Sequence, residues 1–133
     1  MNPFAYTSPK NISEASALTT PKGEFALPAL KGAGMDLLDR MKEGLESPDL
    51  VIDLTRIDDP ALDAIETNRV GGRVTLAMLA ESDELHQSVP ILGAAAGSAA
   101  TPQVRNVATV AGNLLQETRC WYWRMSQFDC LRK

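Results

Sequence analysis

The chain has 133 residues, enough for one modest domain and too short for most complete multi-domain enzymes. Apolar residues make up 44% of it and charged residues 23%, which excludes global disorder, a collagen-like chain and a disulfide-dense scaffold. Thirteen Lys and Arg against seventeen Asp and Glu give a formal charge of -4, so no general electrostatic pull draws the chain to nucleic acid or to an anionic membrane.

No basic cluster followed by an apolar stretch opens the chain, and Ile91 to Ala100 is too short and too Ala-rich to cross a bilayer. A soluble, unprocessed chain is expected. Phe4 to Tyr6 has the composition of a short strand. Asn11 and Glu14 then have the spacing of an N-cap and its reciprocal partner, which predicts a helix from Ile12 to about Leu18. Pro21, Lys22 and Gly23 break that helix, and Phe25 to Lys31 reads as an extended stretch that Pro28 confines to a sheet edge or to an irregular strand.

Gly32, Ala33 and Gly34 form a small-residue turn before a helix beginning at Met35, in which Leu37, Leu38, Met41 and Leu45 share a face. Asp36 with Arg40 and Lys42 with Glu46 are expected as ion pairs one helical turn apart. Pro48 ends the unit, and Leu50 to Leu54 is expected as a buried strand. Beyond Arg56, Leu62 to Thr67 and Arg73 to Ala77 predict a hairpin about a turn at residues 68–72. Ser82 to His86 and Ile91 to Ala99 predict short helical segments.

Aromatic residues sit only near the two ends, at Phe4, Tyr6 and Phe25 and then at Trp121, Tyr122, Trp123 and Phe128. The middle must pack with Leu, Val, Ile and Ala, which predicts a thin core.

Three segments could carry chemistry. The turn from Lys31 to Asp36 would present free backbone N–H groups to a phosphate, although a small-residue turn of this kind is more often plain packing. Arg105 to Leu115 concentrates Arg, Asn, Thr and small residues without a helical apolar period. A ligand-contacting segment fits that composition, and a polar surface loop fits its spacing better. Cys120 and Cys130 could ligate iron or zinc, but a closed site needs about four ligands, and the single His86 is far away. Unpaired thiols in a reducing compartment, or a disulfide closing a short terminal loop, are the plainer readings. Arg119, Arg124, Arg132 and Lys133 make this end locally basic, and the aromatic trio could plug an apolar surface.

Together and in this order, these segments resemble the FAD-binding subunit of the molybdenum hydroxylases, the xanthine dehydrogenase and carbon monoxide dehydrogenase family. Gly32-Ala33-Gly34-Met35-Asp36-Leu37 falls where that family has Ala-Gly-Gly-Thr-Asp/Asn-Leu. Gln103-Val104-Arg105-Asn106-Val107-Ala108-Thr109-Val110-Ala111-Gly112-Asn113-Leu114 is similar to its Gln-Ile-Arg-Asn-Val-Ala-Thr-Ile-Gly-Gly-Asn-Leu. The cysteine segment resembles a branch whose FAD subunit carries an extra iron-sulfur cluster in an insertion.

The resemblance implies a two-lobed α/β (α+β) FAD-binding fold of the PCMH type, truncated here. Residues 1–56 would form a small βαβ lobe, and residues 57–133 an incomplete second lobe ending in the Cys-containing segment. FAD would lie between the lobes and pass electrons from iron-sulfur clusters to an acceptor. Lys31, Gly32, Ala33, Gly34, Met35, Asp36 and Leu37 would wrap its diphosphate through backbone amides, with Thr109, Ala111, Gly112 and Asn113 facing it from the second lobe. Cys120 and Cys130 would be two ligands of a 4Fe-4S cluster. No residue of the chain is assigned a catalytic acid–base role.

The implied partners are molybdopterin-binding and 2Fe-2S subunits, in the cytoplasm unless the chain is exported with a partner. The family's C-terminal half lies beyond Lys133, so the chain alone is expected to bind FAD weakly or not at all and to lack enzymatic competence. Ala33 and Ala111 each replace a family Gly, which would strain any left-handed backbone there, and Met35 replaces a Thr hydroxyl. The alternative is a cofactor-free interaction module that docks on a partner, or on itself, through Trp121 to Trp123.

Overall fold

The computed structural model describes residues 2–21, 25–125 and 127–131. The expected break at Lys22 and Gly23, and the basic residues Arg132 and Lys133, lie outside the described residues.

The first half is a β-α-β-α-β unit: β1 (Ala5–Thr7), α1 (Ile12–Leu18), β2 (Pro28–Lys31), α2 (Leu37–Glu43) and β3 (Leu50–Asp53). All pairings are parallel, and the strand order is β1-β3-β2. β3 is the central strand, and each of its residues is buried. Alternate side chains of a strand point to opposite faces, so Leu50 and Ile52 pack with Ala15 of α1, while Val51 packs with Leu37 and Met41 of α2. Pro28 begins β2 at the sheet edge, where its missing N–H breaks no ladder bond.

Asn11 caps α1 by accepting from the Glu14 N–H at 2.8 Å. The Glu14 carboxylate reaches back one residue further than a reciprocal cap requires, to the N–H of Lys10. α2 stops at Glu43, so Leu45 and Glu46 lie beyond the helix. Asp36 and Arg40 pair as expected at 3.2 Å, but Glu46 pairs with Arg40 at 2.9 Å instead of with Lys42.

The second half departs further from expectation. The hairpin is only β4 (Ile65–Glu66) and β5 (Arg69–Val70), which close on a two-residue turn at Thr67 and Asn68. The expected strand from Arg73 to Ala77 is replaced by α3 (Leu76–Ala80), because the Thr75 side chain accepts from the Met78 N–H and starts a helix. α4 (Asp83–Ser88) and α5 (Pro90–Ser98) follow. The segment read as a loop from Arg105 to Leu115 contains the end of α6 (Pro102–Arg105) and α7 (Val110–Leu114), each capped by a threonine, Thr101 and Thr109. α8 (Trp121–Arg124) is the last element among the described residues.

Val74, Leu76, Leu79, Leu85 and Ala96 form this half's own cluster, free of aromatic rings. Residues 72–76 run antiparallel to 108–111 through Leu76 N–H to Ala108 C=O, Val110 N–H to Val74 C=O and Ala111 N–H to Gly72 C=O, at 2.8 to 3.0 Å. That pairing draws the start of α7 across the second half towards the sheet.

Candidate functional site

The two turns singled out in the sequence line one cavity of about 1060 Å³. Residues 31 to 37 form one wall, and Thr109, Ala111, Gly112 and Asn113 lie on another. The walls approach closely: a Cβ placed on Gly32 would stand 3.4 Å from Thr109 Oγ1.

The turn between β2 and α2 has the more distinctive chemistry. Among the described residues none accepts a hydrogen bond from the backbone N–H of Ala33, Gly34, Met35, Asp36 or Leu37. The first bonds of the following helix run from Leu38 N–H to Gly34 C=O and from Arg40 N–H to Asp36 C=O. Unpaired donors lining a hollow need water or an anionic acceptor. Gly34 takes the left-handed backbone the turn requires, with φ 84°. Ala33 and Ala111 do not, so the strain expected for alanine at those positions is absent.

The second wall offers side chains instead of amides. The N–H groups of Val110, Ala111, Gly112 and Asn113 bond to Val74 C=O, Gly72 C=O, Thr109 Oγ1 and Thr109 C=O respectively. The Thr109 hydroxyl can still donate its proton, and the Asn113 carboxamide has no partner among the described residues.

Every cation on the cavity wall is already paired. Lys31 lies 3.3 Å from Asp53, Arg40 contacts Asp36 and Glu46, and Arg119 contacts Asp39 at 3.5 Å. Arg73 forms a two-pronged pair with Asp63 and donates to the carbonyls of Thr55 and Ile57, which ties the end of the sheet unit to the second half. The hydrogen bond from Arg73 holds the Asp63 carboxyl below its ordinary range.

Sequence reasoning missed Asp53, Thr55, Arg73 and Gly72. For Asp53 a signal was present: a carboxylate ending a run of branched apolar residues must be buried and therefore partnered. Its carboxylate accepts from the Tyr6 hydroxyl, from Thr55 N–H at 3.0 Å and hydroxyl at 2.8 Å, and from Lys31 Nζ. Burial pushes its pKa up, but these donors outweigh burial and hold it at about 2. Folding stability therefore contains an Asp53 contribution of about 2 kcal/mol that is complete above about pH 4 and lost as pH falls towards 2. Urea midpoints measured across that window should fall more steeply for the native chain than for Asp53→Asn.

The C-terminal segment clasps α2. Glu117 N–H donates to Asp36 at 3.1 Å, and Arg124 reaches Asp39 and Glu43, both at 2.9 Å. The Arg124 hydrogen bond holds Asp39 below the usual carboxylate range. Trp121 and Tyr122 stand exposed, and Tyr122 meets Phe128 edge to face at 4.9 Å.

Cys120 and Cys130 lie outside the cavity and are both free thiols. Among the described residues no three His, Cys, Asp or Glu side chains stand together as metal ligands, so the expected 4Fe-4S cluster finds no support. No helix among them is long and apolar enough to cross a membrane.

A family model described as the FAD binding domain in molybdopterin dehydrogenase matches residues 2–120. The chain is 34% identical to the aldehyde oxidoreductase FAD-binding subunit PaoB of Escherichia coli (strain K12), over 100% of this chain and 42% of that protein. It is 36% identical to the carbon monoxide dehydrogenase medium chain of Afipia carboxidovorans, over 83% of this chain and 38% of that one. Among solved structures, carbon monoxide dehydrogenase from Hydrogenophaga pseudoflava lacking the Mo-pyranopterin moiety matches with a TM-score of 0.74 at 33% identity, covering 84% of this chain and 39% of that chain. The chain spans about two fifths of the length of these relatives.

Proposed function

The chain belongs to the FAD-binding domain family of the molybdopterin dehydrogenases, and we propose that it supplies the diphosphate-binding half of an FAD site in an electron-transfer module. The observation that carries this reading is the run of unpartnered N–H groups from Ala33 to Leu37, in residues that line a hollow shared with Thr109 and Asn113. A diphosphate is anionic and rich in acceptors, so it satisfies several such donors at once. Met35 adds no hydroxyl to that set, which leaves recognition on this wall to the backbone.

When bound, the flavin supplies the redox chemistry, taking up reducing equivalents and releasing them to an acceptor. The chain's own task is positioning. Residues 1–56 would hold the diphosphate, and residues 57–133 would present the Thr109 hydroxyl and the Asn113 carboxamide. In a complex, molybdopterin-binding and iron-sulfur subunits would deliver the electrons. The exposed Trp121 and Tyr122 are the surface we assign to docking on such a partner, since bulky aromatics anchor interfaces. A cytoplasmic setting suits the two free thiols.

Gly112, Asn113, Leu114 and Leu115 stand exposed, so the cavity is incompletely walled. The expected dissociation constant for FAD is therefore weak, on the order of 10 µM or higher. Titration followed by flavin fluorescence tests this. No binding at millimolar FAD would refute the assignment, and flavin retained stoichiometrically through gel filtration would refute the weakness.

A further inference from the structure

Asp53 is the charged residue buried at the end of the central strand, 5% exposed, and the function above leaves it without a task. It does not line the cavity. Lys31 does, and its ammonium group bridges Asp53 Oδ1 at 3.3 Å and the Gly32 carbonyl at 3.1 Å. Gly32 is the residue at which β2 gives way to the amide-bearing turn. Fixing its carbonyl fixes the Gly32–Ala33 peptide plane, and the direction of the Ala33 N–H with it, because the peptide is planar. Asp53 is held in turn by Tyr6 from β1 and by Thr55 beyond β3, so the turn is referenced to all three strands of the sheet.

We propose that Asp53 is a positioning residue for the dinucleotide's diphosphate: through Lys31 it sets the Gly32 peptide, and it holds the lysine's charge on itself so that the phosphates are met by neutral amides. The inference rests on the FAD reading given above. Neutral donors at a preset spacing select the geometry of the diphosphate, whereas a free ammonium would attract any nearby anion as a point charge.

The direct test compares the native chain with Asp53→Asn, which keeps the size of the side chain and removes its charge. Lys31→Met serves as a second variant should Asp53→Asn fail to fold. FAD affinity is measured at about 0.05 M and about 0.5 M salt, where screening separates a free charge from neutral donors. Native affinity should change less than about twofold between the two.

Asp53→Asn should bind about tenfold more weakly than the native chain at the higher salt. At the lower salt the gap should narrow, because the released ammonium then attracts the ligand. Lys31→Met should be weaker by a similar factor at both. In the ligand-free chain, acylation of Lys31 read by mass spectrometry should be several-fold faster in Asp53→Asn.

Equal losses at both salts with unchanged Lys31 reactivity would leave Asp53 a purely structural residue and overturn the inference, as would unchanged affinity. If the native chain binds no FAD, the FAD reading fails and takes this inference with it. That outcome is distinguished by its appearance before any substitution is made.

Discussion

Replacing Gly71 by alanine is expected to lower stability by about 3 kcal/mol or more and the melting temperature by roughly 10 °C. A Cβ at this position would fall on the carbonyl group of Leu62 and within 2.6 Å of the Ala61 carbonyl oxygen. Those atoms are backbone and cannot swing aside. They are also held: Gly71 N–H bonds to Ala64 C=O, and Arg73 N–H bonds to Leu62 C=O, both at 2.8 Å. Moving this segment would displace Gly72, whose carbonyl receives the Ala111 N–H, and so would disturb the second wall of the cavity.

Gly97→Ala is the matched control. It lies within α5, where a Cβ would make an ordinary 3.6 Å contact with Ala80, and it should gain up to about 1 kcal/mol from helix propensity. Urea denaturation of both variants settles the pair. A Gly71→Ala midpoint within error of the native one would contradict the close approach.

Gly34→Ala acts on the ligand more than on the fold. At φ 84° an added Cβ costs about 1 to 2 kcal/mol. The added Cβ would also press on the Leu38 and Lys31 side chains, at 3.1 Å from Leu38 Cδ1 and 3.4 Å from Lys31 Cε, but these can yield by a few tenths of an ångström, so the left-handed backbone is what drives the turn to change. The amides from Ala33 to Leu37 must then shift, and FAD affinity should drop tenfold or more, since each factor of ten corresponds to about 1.4 kcal/mol. The flavin fluorescence titration reads this directly. Unchanged affinity would mean that the diphosphate does not sit on this turn.

The legible parts of the sequence are those where one local signal suffices. Asn11 with Glu14 marks α1 by its cap, and the apolar run from Leu50 marks β3 as a strand buried on both faces. The second half was harder, because its elements are short and depend on partners distant in sequence. Thr75 and Thr109 each cap a five-residue helix, a signal present in the sequence but overshadowed at Arg73 to Ala77 by β-favouring residues. The antiparallel pairing of residues 72–76 with 108–111 leaves no periodic trace in either segment.

The site follows the same division. Residues 31–37 announce a turn by their glycines, and Arg105 to Leu115 stand out by their Asn, Thr and small residues, with the resemblance to a flavoprotein family tipping that segment from a surface loop to a ligand contact. Which wall offers amides and which offers side chains is a matter of three-dimensional pairing. The Thr109 hydroxyl and the Gly72 and Val74 carbonyls consume the donors of α7, and nothing in residues 109–113 alone declares it. Arg73 reads as one more surface cation until Asp63 and the Thr55 and Ile57 carbonyls are seen around it.

The most direct test follows backbone amide resonances of the native chain during a titration with FAD. The largest shifts should fall on the N–H groups of Ala33 to Leu37, with smaller ones at Thr109 and the Asn113 side chain, and ADP should reproduce those at the first turn. Shifts confined to the aromatic segment around Trp121, or scattered with no focus at residues 33–37, would contradict a diphosphate cradled between these two turns.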